Sequence, residues 1–279
     1  TRPQRRLCPA LSALLLLLAT FSGSAQAAPG YQLDSTTPSF SLGGDLAHGI
    51  AVDQANQLIY VAVGSVDLLA RADGRIEQFN ASGVPTANSP FSTPEWRDFF
   101  AAVAVNPLTH DVYAYQAAVT LPGGEVIGAP RMNTFSSTGA PGPSFVPSRA
   151  SGPHIATDSA GRIFYPNDLA GIVQVLDSTG ALKTTITCAG CPGGAFVEPA
   201  SVALDSADNL YVVDFGTGRV FKFAPSAGGS YAYSATLANS YRAVAVAVDP
   251  STDDVFVGSR EGDSYLITAF DSTGVQFDD

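Results

Sequence analysis

Short apolar segments recur along the chain at intervals of 44 to 53 residues, and each ends in an aspartate or asparagine followed by a polar turn. Within each segment, branched apolar residues alternate with alanine, which is the period of a β-strand with one small-residue face. The alanine and the acidic or amide residue of the five copies are Ala51/Asp53, Ala104/Asn106, Ala156/Asp158, Ala203/Asp205 and Ala247/Asp249. Five strands with a face of alanine are expected to converge on a common axis.

Each copy continues with two further strands. Six or seven residues after the aspartate or asparagine, an aromatic residue marks a second strand, and a third strand ends in a large apolar residue before a glycine turn. The aromatic column is Tyr60, Tyr113, Phe164, Tyr211 and Phe256, and the third strands end at Phe79, Phe135, Leu176, Phe223 and Phe270. Repeats of about 40 to 50 residues with three or four short strands are typical of propeller blades. The pattern predicts an all-β β-propeller with five recognisable blades, near residues 45–95, 96–147, 148–190, 196–240 and 241–279.

The fourth copy resembles the NHL repeat, and residues 49–63 of the first copy are similar to it in part. The matching positions of the fourth copy are Asn209, Leu210, Tyr211, Val212, Asp214, Gly218, Arg219 and Val220. The resemblance extends over roughly residues 45 to 277 and implies an NHL-type propeller of an exported bacterial kind. It implies less about activity, because the family includes binding modules, scaffolds and some enzymes.

The fifth copy lacks a clear fourth strand, and the sequence leaves two ways to supply one. The segment from Tyr31 to Leu42 carries alternating apolar residues and could close a ring of five blades. The family resemblance instead favours six blades, with the sixth beyond residue 279.

Residues 1–27 have the organisation of a secretory signal peptide. Three arginines precede an apolar run from Leu11 to Phe21, and Ala25-Gln26-Ala27 offers a small-x-small cleavage site. The run is shorter than the roughly 20 residues that a membrane-spanning helix needs. We therefore expect a secreted or cell-surface, extracytoplasmic protein, with the propeller in residues 28–279 and no stable membrane insertion after cleavage.

The chain is acidic, with a formal net charge of −11. Removing the signal segment lowers the number of basic residues from 14 to 11 against 25 acidic residues. Phosphate backbones would be repelled by this charge, so we predict no nucleic-acid partner. Cys188 and Cys191 lie in a short Gly- and Pro-rich segment, and in an exported protein such a pair predicts a local disulfide.

Candidate ligand residues are polar side chains in the loops that enter the first strands and join second to third strands, since these loops share one face around the channel mouth. They are His48, His154, Glu198, Asn167, Asp168, Asp214 and Arg260. His154 stands four residues before Asp158, where the other copies have Gly49, Ala102, Ser201 and Ala245. Its imidazole therefore either fills the channel or contacts a ligand there. His110 falls on the opposite face and is expected to be solvated.

No catalytic constellation is recognisable, and we predict no catalytic residue, metal ligand or cofactor. The pattern favours a non-catalytic binding or scaffolding module that takes a protein, carbohydrate or small-molecule ligand at the channel mouth. The alternative is a metal-dependent hydrolase or lyase, of the lactonase-like or amidating-lyase-like propeller type, centred on His48, His154, Glu198, Asp168 and Asp214.

Overall fold

The computed structural model describes residues 5–6, 25–26, 31–32, 42, 45–66, 72–93, 99–120, 124, 126–147, 154–238, 242–261 and 264–277. Within these ranges the chain is built of β-strands, with one 3-10 turn at Ala227–Gly229. Three two-residue strands come first, β1 (Arg5–Arg6), β2 (Ala25–Gln26) and β3 (Tyr31–Gln32). All other strands after these belong to residues 46–270.

Five antiparallel sheets follow one another along the chain. The first contains β4 (Leu46–Asp53), β5 (Leu58–Val66) and β6 (Ala72–Asn80); the second contains β7 (Phe100–Val105), β8 (Val112–Gln116) and β11 (Arg131–Phe135), with a hairpin of β9 (Val119–Thr120) and β10 (Val126–Ile127) inserted between the last two. The third contains β12 (Ala156–Thr157), β13 (Ile163–Asn167), β14 (Ile172–Leu176) and β15 (Leu182–Ile186). The fourth contains β16 (Pro199–Leu204), β17 (Leu210–Asp214), β18 (Arg219–Pro225) and β19 (Tyr231–Ala238), and the fifth contains β20 (Ala243–Asp249), β21 (Asp254–Glu261) and β22 (Ser264–Phe270). The predicted all-β propeller with five recognisable blades is confirmed.

The outer edges of the blades differ. The third and fourth blades have complete fourth strands, whereas the first and second have only bridges, such as Ile76 with Phe91 and Met132 with Phe145. In the fifth blade, Ala25–Gln26 runs parallel to β22, beside Tyr265 and Leu266. Tyr31–Gln32 pairs with Arg5–Arg6, and most of the segment from Tyr31 to Leu42 lies outside the described residues, so its closing role stays a prediction.

The hydrophobic core lies between neighbouring blades. The aromatic residues of the second strands are buried there, because each blade presents a strand face of large side chains to the next one. Tyr60 packs in one cluster with Phe100 and Val103 of the second blade, and Phe164 packs with Val202 and Val212 of the fourth. Burial of large aromatic side chains is the main favourable term that holds the blades together.

The aspartate and asparagine column forms the turns between first and second strands. In four of the five blades the side chain accepts the backbone N–H two residues further on, as for Asp158 and Ala160 at 3.1 Å and Asp249 and Ser251 at 2.9 Å. Asp53 accepts the N–H of Asn56, three residues on, at 3.1 Å. These side chains accept hydrogen bonds from backbone N–H groups that lack a backbone partner in the turn. This explains why aspartate or asparagine recurs at the same position of each blade.

Side chains in these turns also connect neighbouring blades. The Asp208 carboxylate accepts hydrogen bonds from the Ser159 N–H and hydroxyl at 2.9 and 2.6 Å, and Asp253 accepts the same pair of bonds from Ser206 at 2.8 Å each. His110 lies 2.9 Å from the Asp53 carboxylate through its Nδ1. The expectation that His110 is merely solvated is therefore wrong, because its partner comes from the preceding blade, 57 residues away in sequence.

Cys188 and Cys191 form a disulfide, and both sulfur-bearing side chains are buried in the cluster between the third and fourth blades. The Cys191 N–H also donates to the Cys188 carbonyl at 2.9 Å, which closes the turn without the disulfide.

We expect the pair to be oxidised. Thiol titration of the unfolded, unreduced chain without residues 1–27, which contain Cys8, should find almost no free thiol, because the two residues are already held side by side in the turn. Reduced protein serves as the control and should give two thiols at these positions. Two reactive thiols before reduction would contradict the expectation.

No helix in the described part of the chain is long and apolar enough to cross a membrane.

Candidate functional site

The first strands of all five blades surround one cavity of about 270 Å³. Its wall contains the complete alanine column, Ala51, Ala104, Ala156, Ala203 and Ala247, together with branched residues on either side of it. The small-residue face predicted from the sequence therefore lines the axis. The strands approach so closely that a Cβ on Gly49 would lie 2.9 Å from the Cα of Ala102, which explains why glycine stands at that position.

The two histidines of the entry loops lie near the upper end of this cavity. His154 lines the cavity, and its backbone N–H donates to the Ala200 carbonyl at 3.0 Å. The His48 ring stacks at a tilt on Phe99, with 4.5 Å between ring centroids, and its Nε2 lies 3.2 Å from the Gly64 carbonyl oxygen. His48 is thereby fixed in orientation by the first blade.

Burial lowers the pKa of both imidazoles. For His154, burial is the larger cause and the positive charge of a protonated His48 is the second. For His48, burial is again the larger cause, and the bond to the Gly64 carbonyl opposes it. Both rings are consequently neutral at pH 7, since their pKa values lie below the ordinary value of 6.5.

Asp214 is fully buried and organises the loop that enters the fourth blade. Its carboxylate accepts hydrogen bonds from the backbone N–H groups of Val197 and Glu198, the shortest at 2.6 Å, and from the Thr217 hydroxyl at 2.9 Å. The Phe215 N–H completes the connection by donating to the Glu198 carbonyl at 2.8 Å. Asp214 therefore joins two loops through hydrogen bonds. Its predicted contact with a ligand stays a prediction.

Asn167 has a comparable role in the third blade. It is buried at the end of β13, and its side-chain oxygen accepts the Ala170 N–H at 3.0 Å, which closes the loop that contains Asp168. Burial raises the pKa of the neighbouring Tyr165 hydroxyl, and Tyr115 and Asp168 raise it further. The buried tyrosine hydroxyl is thus neutral and supports the base of this loop.

Of the remaining candidates, Asp168 is partly buried, and Glu198 and Arg260 are exposed. Arg260 lies on the fifth blade with its guanidinium 5.9 Å from the centre of the Tyr265 ring. The Arg260 N–H donates to the Arg242 carbonyl at 3.1 Å, so two arginines lie together at this edge. The structure places all seven candidates on the loop face, distributed over four blades. Among the described residues, no group of three histidine, cysteine, aspartate or glutamate side chains could hold a metal ion together.

Several large apolar side chains are exposed on the same face, and three of them belong to loops of the third and fourth blades. Leu169, Val197 and Phe215 have 65, 62 and 43% of their surface accessible. The 196–198 loop contacts the loops of both other residues: a Cβ on Gly171 would lie 3.0 Å from the Phe196 carbonyl oxygen, and one on Gly216 would lie 2.5 Å from the Val197 side chain. We call Leu169, Val197 and Phe215 the apolar triad.

The sequence did not identify the apolar triad. Its members are apolar residues in loops, a weak sign of function, because single exposed apolar residues are common. Exposed apolar residues of the opposite face, such as Leu108, Val84 and Val275, occupy turns of three different blades. What distinguishes the triad is the contact between its loops, which only the fold reveals.

Comparisons with known proteins agree with this architecture. Residues 196–223 match the family model of the NHL repeat. A chain of the nidogen/laminin complex has a TM-score of 0.56 at 14% identity, over 84% of this chain and 79% of that one. Virginiamycin B lyase from Staphylococcus aureus has a TM-score of 0.51 at 10% identity, over 88 and 84%. A protein of unknown function from Desulfotomaculum acetoxidans has a TM-score of 0.58 at 13% identity, over 87 and 72%.

Blades arranged around an alanine-lined axis, with polar and apolar loops gathered on one face, define a β-propeller. The matched repeat spans the entry loop and the first three strands of the fourth blade, including Asp214 and Arg219, so the chain is a β-propeller whose fourth blade matches the NHL repeat. No curated protein matches the sequence. At these identities the solved structures establish the fold alone.

Proposed function

We propose that the protein is an exported, non-catalytic binding or scaffolding module that contacts a protein partner through the loop face of the propeller. The observation that carries this proposal is the apolar triad, exposed on the 196–198 loop and on the two loops that contact it. Contiguous apolar surface on a folded protein marks an interaction site more often than scattered apolar residues do.

The loops of the triad are held before any partner arrives. Asp214 joins the Val197 loop to the Phe215 loop, and the Arg219 guanidinium donates to the Pro192 carbonyl at 3.1 Å within the disulfide-containing segment. Side chains that are already fixed lose little conformational entropy on binding, which is a property of residues that contribute most to interface affinity. The likeness to a chain of the nidogen/laminin complex supports a protein as the partner.

The polar candidates give the same indication. Asp214 and Asn167 accept hydrogen bonds that shape the loops, and the His48 ring contacts Gly64 and Phe99. These groups contribute to the rigidity of the face. A catalytic carboxylate or imidazole would instead be directed at a substrate.

The proposal predicts that charge placed within the apolar triad abolishes partner retention. Mature protein would be immobilised and exposed to the extracellular proteins of its own source, and retained proteins would be quantified by mass spectrometry. We expect the triple variant Leu169→Asp, Val197→Asp and Phe215→Asp to lose at least tenfold of the partner signal, because a carboxylate is costly to bury in an apolar contact.

A matched control carries Leu108→Asp, Val84→Asp and Val275→Asp on the opposite face, with the same charge change at similarly exposed positions. It should retain the partner like the unaltered protein. Equal retention by both variants, or loss only in the control, would contradict the proposal. Rapid turnover of lactones or esters by the purified protein would contradict its non-catalytic part.

The alternative is a metal-dependent lyase or hydrolase. It is favoured by the electrostatic coupling of His48 and His154 at one end of the cavity and by the likeness to a virginiamycin B lyase. Metal analysis separates the two functions. Retention of about one equivalent of zinc or calcium after dialysis, lost in the His154→Phe variant, would favour the enzyme.

A further inference from the structure

The axial cavity lies between the first strands of the five blades, is partly open to solvent and has a volume of about 270 Å³. Most of the side chains in its described lining are apolar, namely alanines and branched residues such as Val103 and Val246, whereas polar atoms form a substantial part of its surface. A wall of this composition suits a ligand that is apolar over most of its length and has a polar group.

Few side chains of the wall are polar, and some of them already form hydrogen bonds within the protein. The Thr157 hydroxyl donates to the Val105 carbonyl at 2.5 Å, and the Ser201 hydroxyl accepts the Val246 N–H at 3.2 Å. Both bonds join neighbouring blades. Gln54 lies at the opposite end, in an exposed turn. His154 is the remaining polar side chain of the described wall, and its ring makes no hydrogen bond to the other described residues.

We infer that the axial cavity binds a small neutral molecule, apolar over most of its length, with one hydroxyl, carbonyl or amide group that hydrogen-bonds to His154. A neutral imidazole has one donor and one acceptor nitrogen, so it can serve any of these groups. The described lining contains neither a carboxylate nor an arginine or lysine that would compensate a charged ligand.

Neutrality of the ligand follows from the cost of burying charge. An ionised group loses its hydration in an apolar cavity, and without an opposite charge this loss is not recovered. The lowered pKa of His154 agrees with this environment, since the same cavity disfavours the protonated ring. The cavity site shares no residue with the apolar triad. A negative result for ligand binding in the cavity would therefore not contradict the proposed function.

The test uses three probes of similar size: 4-ethylphenol, ethylbenzene and the anion 4-ethylbenzoate. Their affinities for the mature protein would be measured by NMR titration at pH 7.5. We expect saturable binding of 4-ethylphenol, about three- to tenfold weaker binding of ethylbenzene because it lacks the hydrogen bond, and no binding of the anion.

Two variants assign the site. His154→Phe keeps a ring in the wall and removes the hydrogen bond. It should therefore lower the affinity for 4-ethylphenol about three- to tenfold and leave the affinity for ethylbenzene unchanged. Ala203→Leu fills the channel and should abolish binding of both probes; Ala104→Leu, in another blade, tests the same point if the first variant does not fold. The inference would be overturned if 4-ethylphenol did not bind saturably to the unaltered protein. It would also be overturned if His154→Phe bound 4-ethylphenol as tightly as the unaltered protein does, or if the probes still bound to a folded variant with a leucine in the channel.

Discussion

Replacing Asp214 with alanine is expected to lower the free energy of unfolding by about 3 kcal/mol, because several donors lose a buried acceptor at once. The N–H groups of Val197 and Glu198 and the Thr217 hydroxyl all point at this carboxylate. The Val197 loop should therefore lose its fixed position next to Phe215, and partner retention should fall together with stability.

Two further variants make this measurement specific. Asp214→Asn keeps one acceptor oxygen and should cost about 1 kcal/mol, the value of one altered hydrogen bond. Glu198→Ala changes the adjacent exposed side chain and should stay within about 0.5 kcal/mol of the unaltered protein. Urea unfolding followed by circular dichroism provides the comparison. An Asp214→Ala variant as stable as Glu198→Ala would show that the carboxylate does not hold the loop.

Replacing Gly180 with alanine is expected to cost about 2 to 4 kcal/mol, from a left-handed backbone conformation and a steric clash together. Gly180 has a φ of +85°, and a Cβ there would clash with the Phe145 ring of the preceding blade. The same contact recurs at Gly139 with Phe91 and at Gly274 with Leu237. At these three positions the outer edges of the first, second and fourth blades pack on the next blade.

Gly228 is a matched control for the cost of placing alanine in a left-handed backbone conformation. Its φ is +73°, and no atom lies within 4 Å of a Cβ placed there. Gly228→Ala should thus cost about 1 kcal/mol, the penalty of the left-handed conformation alone. In a Phe145→Ala background, the cost of Gly180→Ala should fall to the same value. An unchanged cost in that background would mean that the two blades do not meet at this contact.

Features that depend on neighbouring residues could be predicted from the sequence. Alternation of alanine with branched residues identified the first strands, and the Asp158 and Asp249 turns followed from side chains that bond two residues ahead. These interactions are local, so they produce recognisable residue patterns in the sequence. The propeller fold could be predicted because five such patterns repeat at a similar spacing.

Features that depend on loop paths could not be predicted. The partners of Asp214 lie 16 and 17 residues before it, and His110 finds Asp53 in another blade. A polar residue in a loop can face solvent, a ligand or the protein, and its identity does not distinguish these cases. For the same reason the sequence showed the composition of the 168–171, 196–198 and 215–218 loops but not that they touch and expose the apolar triad.

The central claim is that a protein partner binds the loop face at the apolar triad. Hydrogen–deuterium exchange of the mature protein, with and without the retained partner, tests it most directly because exchange reports which backbone segments become covered. We predict slower exchange in the loops 168–171 and 196–198 and in 215–218, and unchanged exchange in the turns 80–84 and 271–275. Slower exchange in those turns, with none at the three loops, would contradict the claim.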